Sequence, residues 1–311
     1  MNNKPQANVR AVFFDDAGGT WVRLDHPVEI TAAYRLDEVG QVLDYVEQTA
    51  AARALYAAGF VSYEAAPAFD SAFAAHPNGG FPLAWFVLYR DCAPVRLSRR
   101  YLSGAEFSSG WVPSLTAERY AADIAQIKRH LACGDSYQVN YTYRLRKAWT
   151  ASAWSLFLHL LSAQHTRCAS FIDTGRFAVC SASPELFFSR ERNKLICRPM
   201  KGTAPRGIDL HDDTRQANAL LLSAKNRAEN MMIVDMIRND MARTAEPGSV
   251  HVDDLFSLER YDTLWQMTSA ISARSAAGLR ALLTALFPCA SISGCPKART
   301  TEIIAALETS P

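Results

Sequence analysis

Two short apolar runs separated by a polar cluster limit most strongly how the middle of this chain can fold. Residues 186–188 and 194–200 form the runs, and the polar cluster 191–193 between them favours a turn, which predicts a β-hairpin. A three-residue loop would place Glu185 opposite Lys201 at the open end of this hairpin, with Cβ atoms about 4.5–5.5 Å apart. The spacing alone leaves open whether this acid and amine form a solvated ion pair or part of a site.

A helix is predicted a short distance downstream of this hairpin. Residues 224–241 contain neither Gly nor Pro, and they follow Ser223, a residue type that caps helices well. Glu229 heads an apolar stripe with helical spacing. The other members of the stripe are Met232, Ile233, Met236 and Ile237. The pattern therefore predicts that the Glu229 carboxylate faces the core.

A carboxylate that faces a core needs a metal ion or a basic side chain as its partner. Asn226 lies three residues before Glu229 on the same helix face, and hard oxygen ligands at this spacing suit Mg²⁺. Arg227 and Arg238 are the alternatives, because either guanidinium could form a buried ion pair with the glutamate. The pattern by itself leaves the metal site and the ion pair open.

Composition excludes several classes of partner and compartment. The formal net charge of the 311 residues is +2, which argues against a nucleic-acid partner. No run of eighteen apolar residues predicts a membrane span, and the N-terminus lacks the apolar core of a signal peptide. Seven cysteines without CxxC spacing indicate reduced thiols in a cytoplasmic protein, with neither a disulfide framework nor a zinc site.

The chain divides into two predicted parts. Residues 1–110 are predicted to form an antiparallel, β-rich lobe, and the turn-forming stretch 108–114 marks its boundary with residues 111–311. A helix is predicted over 36–59 within the first part, and a second helix follows from about 117 to 133, with Thr116 as its cap. Alternating side chains over 137–145 then predict a half-buried strand.

The chain carries five motifs in order: GDSYQVNYT at 134–142, SPELFF at 183–188, KGTAPRG at 201–207, KNRAENMMIVDMIRND at 225–240 and PCASISGCPK at 288–297. Together they show a resemblance to a known family, the chorismate-utilising enzymes, which include anthranilate, aminodeoxychorismate and isochorismate synthases. Lys201 is the residue that best separates the branches of this family. The chain resembles the aminodeoxychorismate synthase branch at this position, whereas the other two branches carry alanine.

The resemblance implies an α+β fold like that of anthranilate synthase component I, with antiparallel sheets packed together and helices outside, incomplete at the C-terminus. It implies that Lys201 is the nucleophile, that Glu185 is the proton donor, and that Glu229 and Asn226 hold Mg²⁺. Five further residues are implied to bind the substrate: Gln138, Gly202, Thr203, Ser293 and Gly294. Gln138 stands where isochorismate synthases carry a water-activating lysine, which favours ammonia as the nucleophile.

The function implied is a transferase reaction of folate biosynthesis, on the p-aminobenzoate branch. Chorismate would be aminated to 4-amino-4-deoxychorismate through a covalent Lys201 adduct, with ammonia supplied by a glutamine amidotransferase subunit. The alternatives are anthranilate synthase component I, which Lys201 disfavours, and a truncated, non-catalytic remnant. Family members continue past the last helix with strands that bind the carboxylates of chorismate. The resemblance therefore predicts that the chain as given is truncated and binds chorismate weakly.

Overall fold

A computed structural model of the chain describes residues 9–97, 110–164 and 166–311. The chain forms two compact units. Unit 1 comprises Met1–Pro184 together with Pro296–Pro311, and unit 2 comprises Glu185–Cys295. The boundary predicted near residue 110 adjoins segment 98–109, which lies outside the described residues, and it stays a prediction.

Unit 1 is built on a six-stranded antiparallel sheet with the order β3-β4-β2-β1-β8-β9. Its strands are β1 (Arg10–Asp15), β2 (Thr20–Ala33), β3 (Tyr56–Val61), β4 (Ala84–Pro94), β8 (Ser170–Asp173) and β9 (Ala178–Ser181). β2 continues well beyond its β1 partner because β4 pairs with it from Val22 to Ala33. Strands β1 to β4 lie within residues 1–110, and the separate lobe predicted for these residues stays a prediction.

Helix α1 (Leu36–Arg53) follows β2 directly. It is shorter than the predicted span 36–59, because Ala54 adopts a left-handed conformation that ends the helix and β3 follows. Its buried residues are Val39, Val42, Leu43 and Val46, which is the apolar face expected from helical spacing.

Among the described residues, the remaining elements of unit 1 are three α-helices, a 3₁₀ helix and three two-residue strands. They are a 3₁₀ helix (Tyr63–Ala68), β5 (Val112–Pro113), α2 (Ala117–Ala132), β6 (Gln138–Val139), β7 (Leu145–Arg146), α3 (Ala153–Ala163) and α7 (Lys297–Leu307). Thr116 caps α2 by accepting a hydrogen bond from the Arg119 amide. The continuous strand predicted over 137–145 is wrong, since only its two ends are extended and paired.

Unit 2 combines a five-stranded antiparallel sheet with three helices. The strands are β10 (Leu186–Glu191), β11 (Lys194–Arg198), β12 (Met200–Pro205), β13 (His251–Arg260) and β14 (Leu264–Arg274). The helices are α4 (Leu210–Leu222), α5 (Ala224–Ala242) and α6 (Leu279–Leu286), and a short strand β15 (Gly294–Cys295) follows them. β14 is the central strand, because β11, β12 and β13 all pair with it.

The hairpin at the start of unit 2 is present, but its predicted register is wrong. Glu191 pairs with Lys194, so the loop has two residues, and a bulge interrupts the ladder between Leu186 and Ser189. Lys201 belongs to β12, which pairs with β14 instead of β10. Pro199 explains the break, since proline cannot donate to a strand ladder.

Helix α5 begins where it was predicted, because the Ser223 hydroxyl accepts the Asn226 amide at 3.3 Å. Its buried stripe is displaced by one residue from the predicted one. The buried residues are Asn230, Ile233, Val234, Ile237, Asp240 and Met241. The prediction that Glu229 faces the core is therefore wrong, and the neutral amide of Asn230 occupies the head of the buried face.

Most of this α5 face packs into the core of unit 2. The fully buried apolar cluster joins it to Leu195 of β11, Ile271 of β14 and Leu282 of α6. Both units mix antiparallel sheets with helices, so the α+β class is confirmed. Within the described ranges, no helix is long and apolar enough to cross a membrane.

Candidate active site

β12 carries Lys201 at a bulge. Met200 pairs with Thr268 and Thr203 pairs with Gln266, so β12 holds one extra residue between these two pairs. Gly202 fills this position with φ +101°, and a Cβ there would lie 3.2 Å from the Cβ atoms of Asn226 and Met267. Bulges of this kind re-aim side chains next to functional sites. Glycine is required because both its dihedral angle and the close packing disfavour a side chain.

Ser291 joins Lys201 to Glu185. The Lys201 amine donates to the Ser291 carbonyl oxygen at 2.6 Å, and the Ser291 hydroxyl donates to Glu185 Oε1. Ser291 is buried, and its Oγ also lies 3.1 Å from the Cys289 sulfur. The acid and the amine predicted to meet at a hairpin end are thus brought together by a third residue.

Burial shifts both ionisable groups towards their neutral forms. Desolvation raises the pKa of Glu185, although the Ser291 hydrogen bond, the Lys201 charge and the Met200 backbone amide oppose it. Desolvation lowers the pKa of Lys201, against the carboxylates of Glu185 and Glu229, which favour the charged amine. A neutral amine is a nucleophile and a neutral carboxyl is a proton donor, so both shifts favour reactivity.

A buried amide holds the backbone of Lys201 in place. Asn230 Nδ2 donates to the Lys201 carbonyl oxygen at 3.3 Å, and Asn230 Oδ1 accepts the Ser269 hydroxyl at 2.6 Å. Both Asn230 and Ser269 are 1% exposed, so neither group exchanges these bonds for bulk water. This network ties α5, β12 and β14 together at the bulge.

An ion-paired cluster anchors the far end of β12. Asp213 accepts hydrogen bonds from both Nε and Nη2 of Arg206 at 2.7 Å, from the Gly207 amide and from the Trp265 indole at 2.9 Å. The Arg206 hydrogen bonds are the largest cause of a lowered pKa at Asp213. This cluster fixes the strand that presents Lys201 against α4 and β14.

The predicted metal ligands lie on one partly exposed face of α5. The Glu229 side chain is 40% exposed, and Lys225 lies 3.8 Å from its Oε1 atom. Neither arginine considered as a buried partner pairs with it, because Arg238 binds Asp235 and Arg227 stacks on Phe256.

Within residues 9–97, 110–164 and 166–311, no three His, Cys, Asp or Glu side chains cluster closely enough to form a metal cage. Mg²⁺ keeps several waters and typically binds only one or two carboxylates, together with oxygens of the substrate. The carboxylate of Glu229 and the amide oxygen of Asn226 fit such an open site. Their role as ligands stays a prediction.

The remaining predicted residues have defined positions. Thr203 donates from its hydroxyl to the Gln266 side-chain oxygen at 2.8 Å, and the Ser293 hydroxyl donates to the Cys289 carbonyl at 2.8 Å. Gly294 is buried in β15. Gln138 belongs to unit 1, where its Oε1 is buried without a hydrogen-bond partner in the described structure. Their roles in substrate binding stay predictions.

Sequence reasoning missed Ser291, Cys289 and Asn230. A signal existed for Asn230, since it heads the i, i+3, i+4, i+7 series that continues through Ile233, Val234 and Ile237. Ser291 lies in a motif that was recognised, yet it contacts Lys201 through its backbone carbonyl, which carries no side-chain signal.

Sequence comparison finds relatives in the family that the five motifs indicate. The chain is 39% identical over 224 residues to aminodeoxychorismate synthase component 1 of Escherichia coli (strain K12), covering 69% of this chain and 49% of that protein. It is 36% identical over 229 residues to anthranilate synthase component 1 of Streptomyces coelicolor, covering 71% and 45% respectively. The chain therefore spans about half the length of the curated relatives it matches.

Solved structures show the same fold. The chain superimposes with a TM-score of 0.75 on a putative 2,3-dihydroxybenzoate-specific isochorismate synthase from Bacillus anthracis, at 15% identity, covering 98% of this chain and 79% of that one. The TM-score is 0.71 for anthranilate synthase component I from Streptococcus pneumoniae, at 19% identity, covering 100% and 77%. The expected anthranilate synthase component I-like fold is confirmed.

The sequence profile of one family covers most of the chain, including every motif that contributes to the Lys201 site. It matches residues 96–311 and describes a chorismate binding enzyme. The five motifs, the fold and this match agree, and the chain belongs to the chorismate binding enzyme family.

Proposed function

We propose that this chain supplies the nucleophile and the acid for the amination of chorismate to 4-amino-4-deoxychorismate. The observation that carries the proposal is the contact of Lys201 and Glu185 with the same residue, Ser291, in a partly desolvated setting. Similarity to proteins named aminodeoxychorismate synthase component 1 supports this branch of the family. Ammonia would come from a glutamine amidotransferase partner, or from free ammonium.

The reaction begins with a neutral amine and a protonated carboxyl. The Lys201 nitrogen forms a bond to ring carbon C2, both ring double bonds shift by one position, and the C4–oxygen bond breaks. Glu185 gives its proton to the departing hydroxyl, which leaves as water. The products of this step are a lysine adduct and an ionised Glu185.

Ammonia then attacks C4, both ring double bonds shift back, and the C2–nitrogen bond breaks to release Lys201 as a neutral amine. The new ammonium group returns one proton to Glu185, so both side chains recover their starting forms. A Mg²⁺ ion held by Glu229 and Asn226 would neutralise carboxylate charge on the substrate when it is bound.

The direct test is a set of single substitutions assayed with chorismate, Mg²⁺ and ammonium chloride. Lys201→Ala should abolish both the product and the lysine adduct detected by mass spectrometry, whereas Lys194→Ala on the same sheet should retain them. Glu185→Gln should lower turnover with little change in chorismate binding, because the amide keeps its shape but cannot donate the proton.

Unchanged amination by a folded Lys201→Ala variant would remove the nucleophile role. Equal losses of binding and turnover in Glu185→Gln would indicate a structural role for the carboxylate instead. Fluorescent anthranilate as the product would assign the chain to the anthranilate synthase branch.

A further inference from the structure

Cys289 is a member of the Lys201 site that the amination mechanism does not use. Its thiol is buried, and its sulfur lies 3.1 Å from the Ser291 Oγ atom. The Ser293 hydroxyl and the Ser293 and Ile292 amides all donate to the Cys289 carbonyl, which holds this residue in a fixed turn. Ser291 Oγ therefore has both the Cys289 sulfur and the Glu185 carboxylate within hydrogen-bond distance.

The Ser291 hydroxyl has one proton and two neighbours. When Glu185 is ionised, the hydroxyl donates to Glu185 Oε1. When Glu185 carries its proton on that oxygen, the carboxyl becomes the donor and Ser291 Oγ becomes the acceptor. The serine proton then needs another acceptor, because a buried hydroxyl without one is destabilised.

We propose that Cys289 is a positioning residue: its sulfur accepts a hydrogen bond from the Ser291 hydroxyl when Glu185 carries its proton on Oε1, and so favours the acid form of Glu185. The Glu185–Ser291 and Ser291–Cys289 hydrogen bonds reverse their direction together, and no bond between heavy atoms is made or broken. The thiol matters more when Glu185 is protonated, because without it the buried Ser291 O–H has no acceptor, whereas in the ionised state the O–H still donates to Glu185. The proton itself arrives on Glu185 from solvent or from the product ammonium group. This inference rests on the proposed role of Glu185 as the acid.

Other groups also influence the titration of Glu185, either directly or through Lys201. Lys201 on β12 faces Glu185 and favours its ionised form, as does the Met200 amide. Glu229 on α5 acts on Lys201, and Cys289 does so as well. Cys289 is therefore changed while Lys201 and Glu229 are left intact.

The test measures the protonation of Glu185 directly, without turnover. Infrared spectroscopy follows the carboxylic acid C=O band, and the band that disappears in Glu185→Gln is assigned to Glu185. Cys289→Ala should lower the titration midpoint of this band by about 0.5–1 pH unit, the size expected for one weak hydrogen bond. Cys289→Ser should keep the midpoint at or above the wild-type value, because a hydroxyl accepts hydrogen bonds better than a thiol.

Cys197→Ala is the matched control, since it removes a buried thiol from β11 in the core of the same unit. An unchanged midpoint in folded Cys289→Ala, a Cys289→Ser midpoint that falls with the alanine variant, or an equal shift in Cys197→Ala would each overturn the proposal. If Cys289→Ala does not fold, a Cys289→Ser midpoint below that of the wild type overturns it. If the wild-type chain shows no amination activity but the midpoints of the cysteine variants follow the expected pattern, the result counts against the proposed function and not against the role of Cys289.

Discussion

The amide of Asn230 is expected to be the most sensitive support of the Lys201 backbone. Asn230→Ala leaves two buried groups without partners: the Ser269 hydroxyl as a donor and the Lys201 carbonyl as an acceptor. The bulge between Met200 and Thr203 interrupts the strand ladder at this carbonyl. The hydrogen bond from the Asn230 side chain therefore contributes more to holding the carbonyl than it would in a regular strand. Each unsatisfied buried group costs about 1–3 kcal/mol, and the longer of these two bonds contributes less, giving an expected loss of about 2–4 kcal/mol.

A double-mutant cycle isolates the hydrogen bond itself. Ser269→Ala alone should cost about 1–3 kcal/mol, because it leaves the Asn230 oxygen and the Phe256 amide without the serine hydroxyl. In the double variant the donor and acceptor are removed together. The combined loss should therefore be smaller than the sum of the single losses by about 1 kcal/mol or more.

Urea unfolding followed by circular dichroism measures the three losses, and hydrogen exchange locates them on β12 and β14. Asn218→Ala is the matched control, since this asparagine is exposed on α4 and its removal should change stability by less than about 0.5 kcal/mol. Strict additivity of Asn230→Ala and Ser269→Ala, or an Asn230→Ala variant as stable as the Asn218 control, would refute this account of the bulge.

Three further substitutions test other contacts by thermal unfolding. Gly202→Ala should lower stability by about 1–3 kcal/mol, because the residue has φ +101° and an added Cβ would press on three neighbouring side chains; a melting temperature equal to the wild type would contradict this. Gly59→Ala should disrupt unit 1, since its Cβ would lie 2.1 Å from the Trp85 carbonyl oxygen; a soluble variant with normal melting would be the opposing result. Asp213→Asn should be less stable than the wild type at neutral pH, and the difference should shrink as the pH falls below about 4. The lowered pKa requires this sign, because the Arg206 bonds stabilise only the ionised carboxyl, and a pH-independent difference would disprove it.

Local signals predicted the elements of unit 2 better than their pairing. Ser223 caps α5 as its residue type indicates, and the apolar runs on each side of residues 191–193 form the expected hairpin. The predicted register was wrong because the observed pairing depends on a bulge in β10 and on β14, a strand more than sixty residues downstream of the hairpin turn. Neither feature leaves a mark in the hairpin sequence itself.

The helix face was misplaced for a related reason. An apolar stripe beginning at Glu229 and one beginning at Asn230 share Ile233 and Ile237, so helical spacing alone supports both. The choice depends on which head residue can be buried with partners. Asn230 finds them on β12 and β14, whereas Glu229 is partly exposed beside Lys225.

A directly paired Glu185 and Lys201 would be poorly suited to the proposed chemistry. Each charge in a close ion pair stabilises the other, which keeps the amine protonated and the carboxyl ionised. Ser291 instead offers each group a neutral partner, a carbonyl for the amine and a hydroxyl for the carboxyl. Neither bond requires a charge on both sides, so desolvation outweighs the mutual attraction and shifts both pKa values towards the reactive neutral forms. In the proposed mechanism, the position of one serine, ninety residues from the lysine, thus distinguishes a reactive pair from an ion pair that only stabilises the fold.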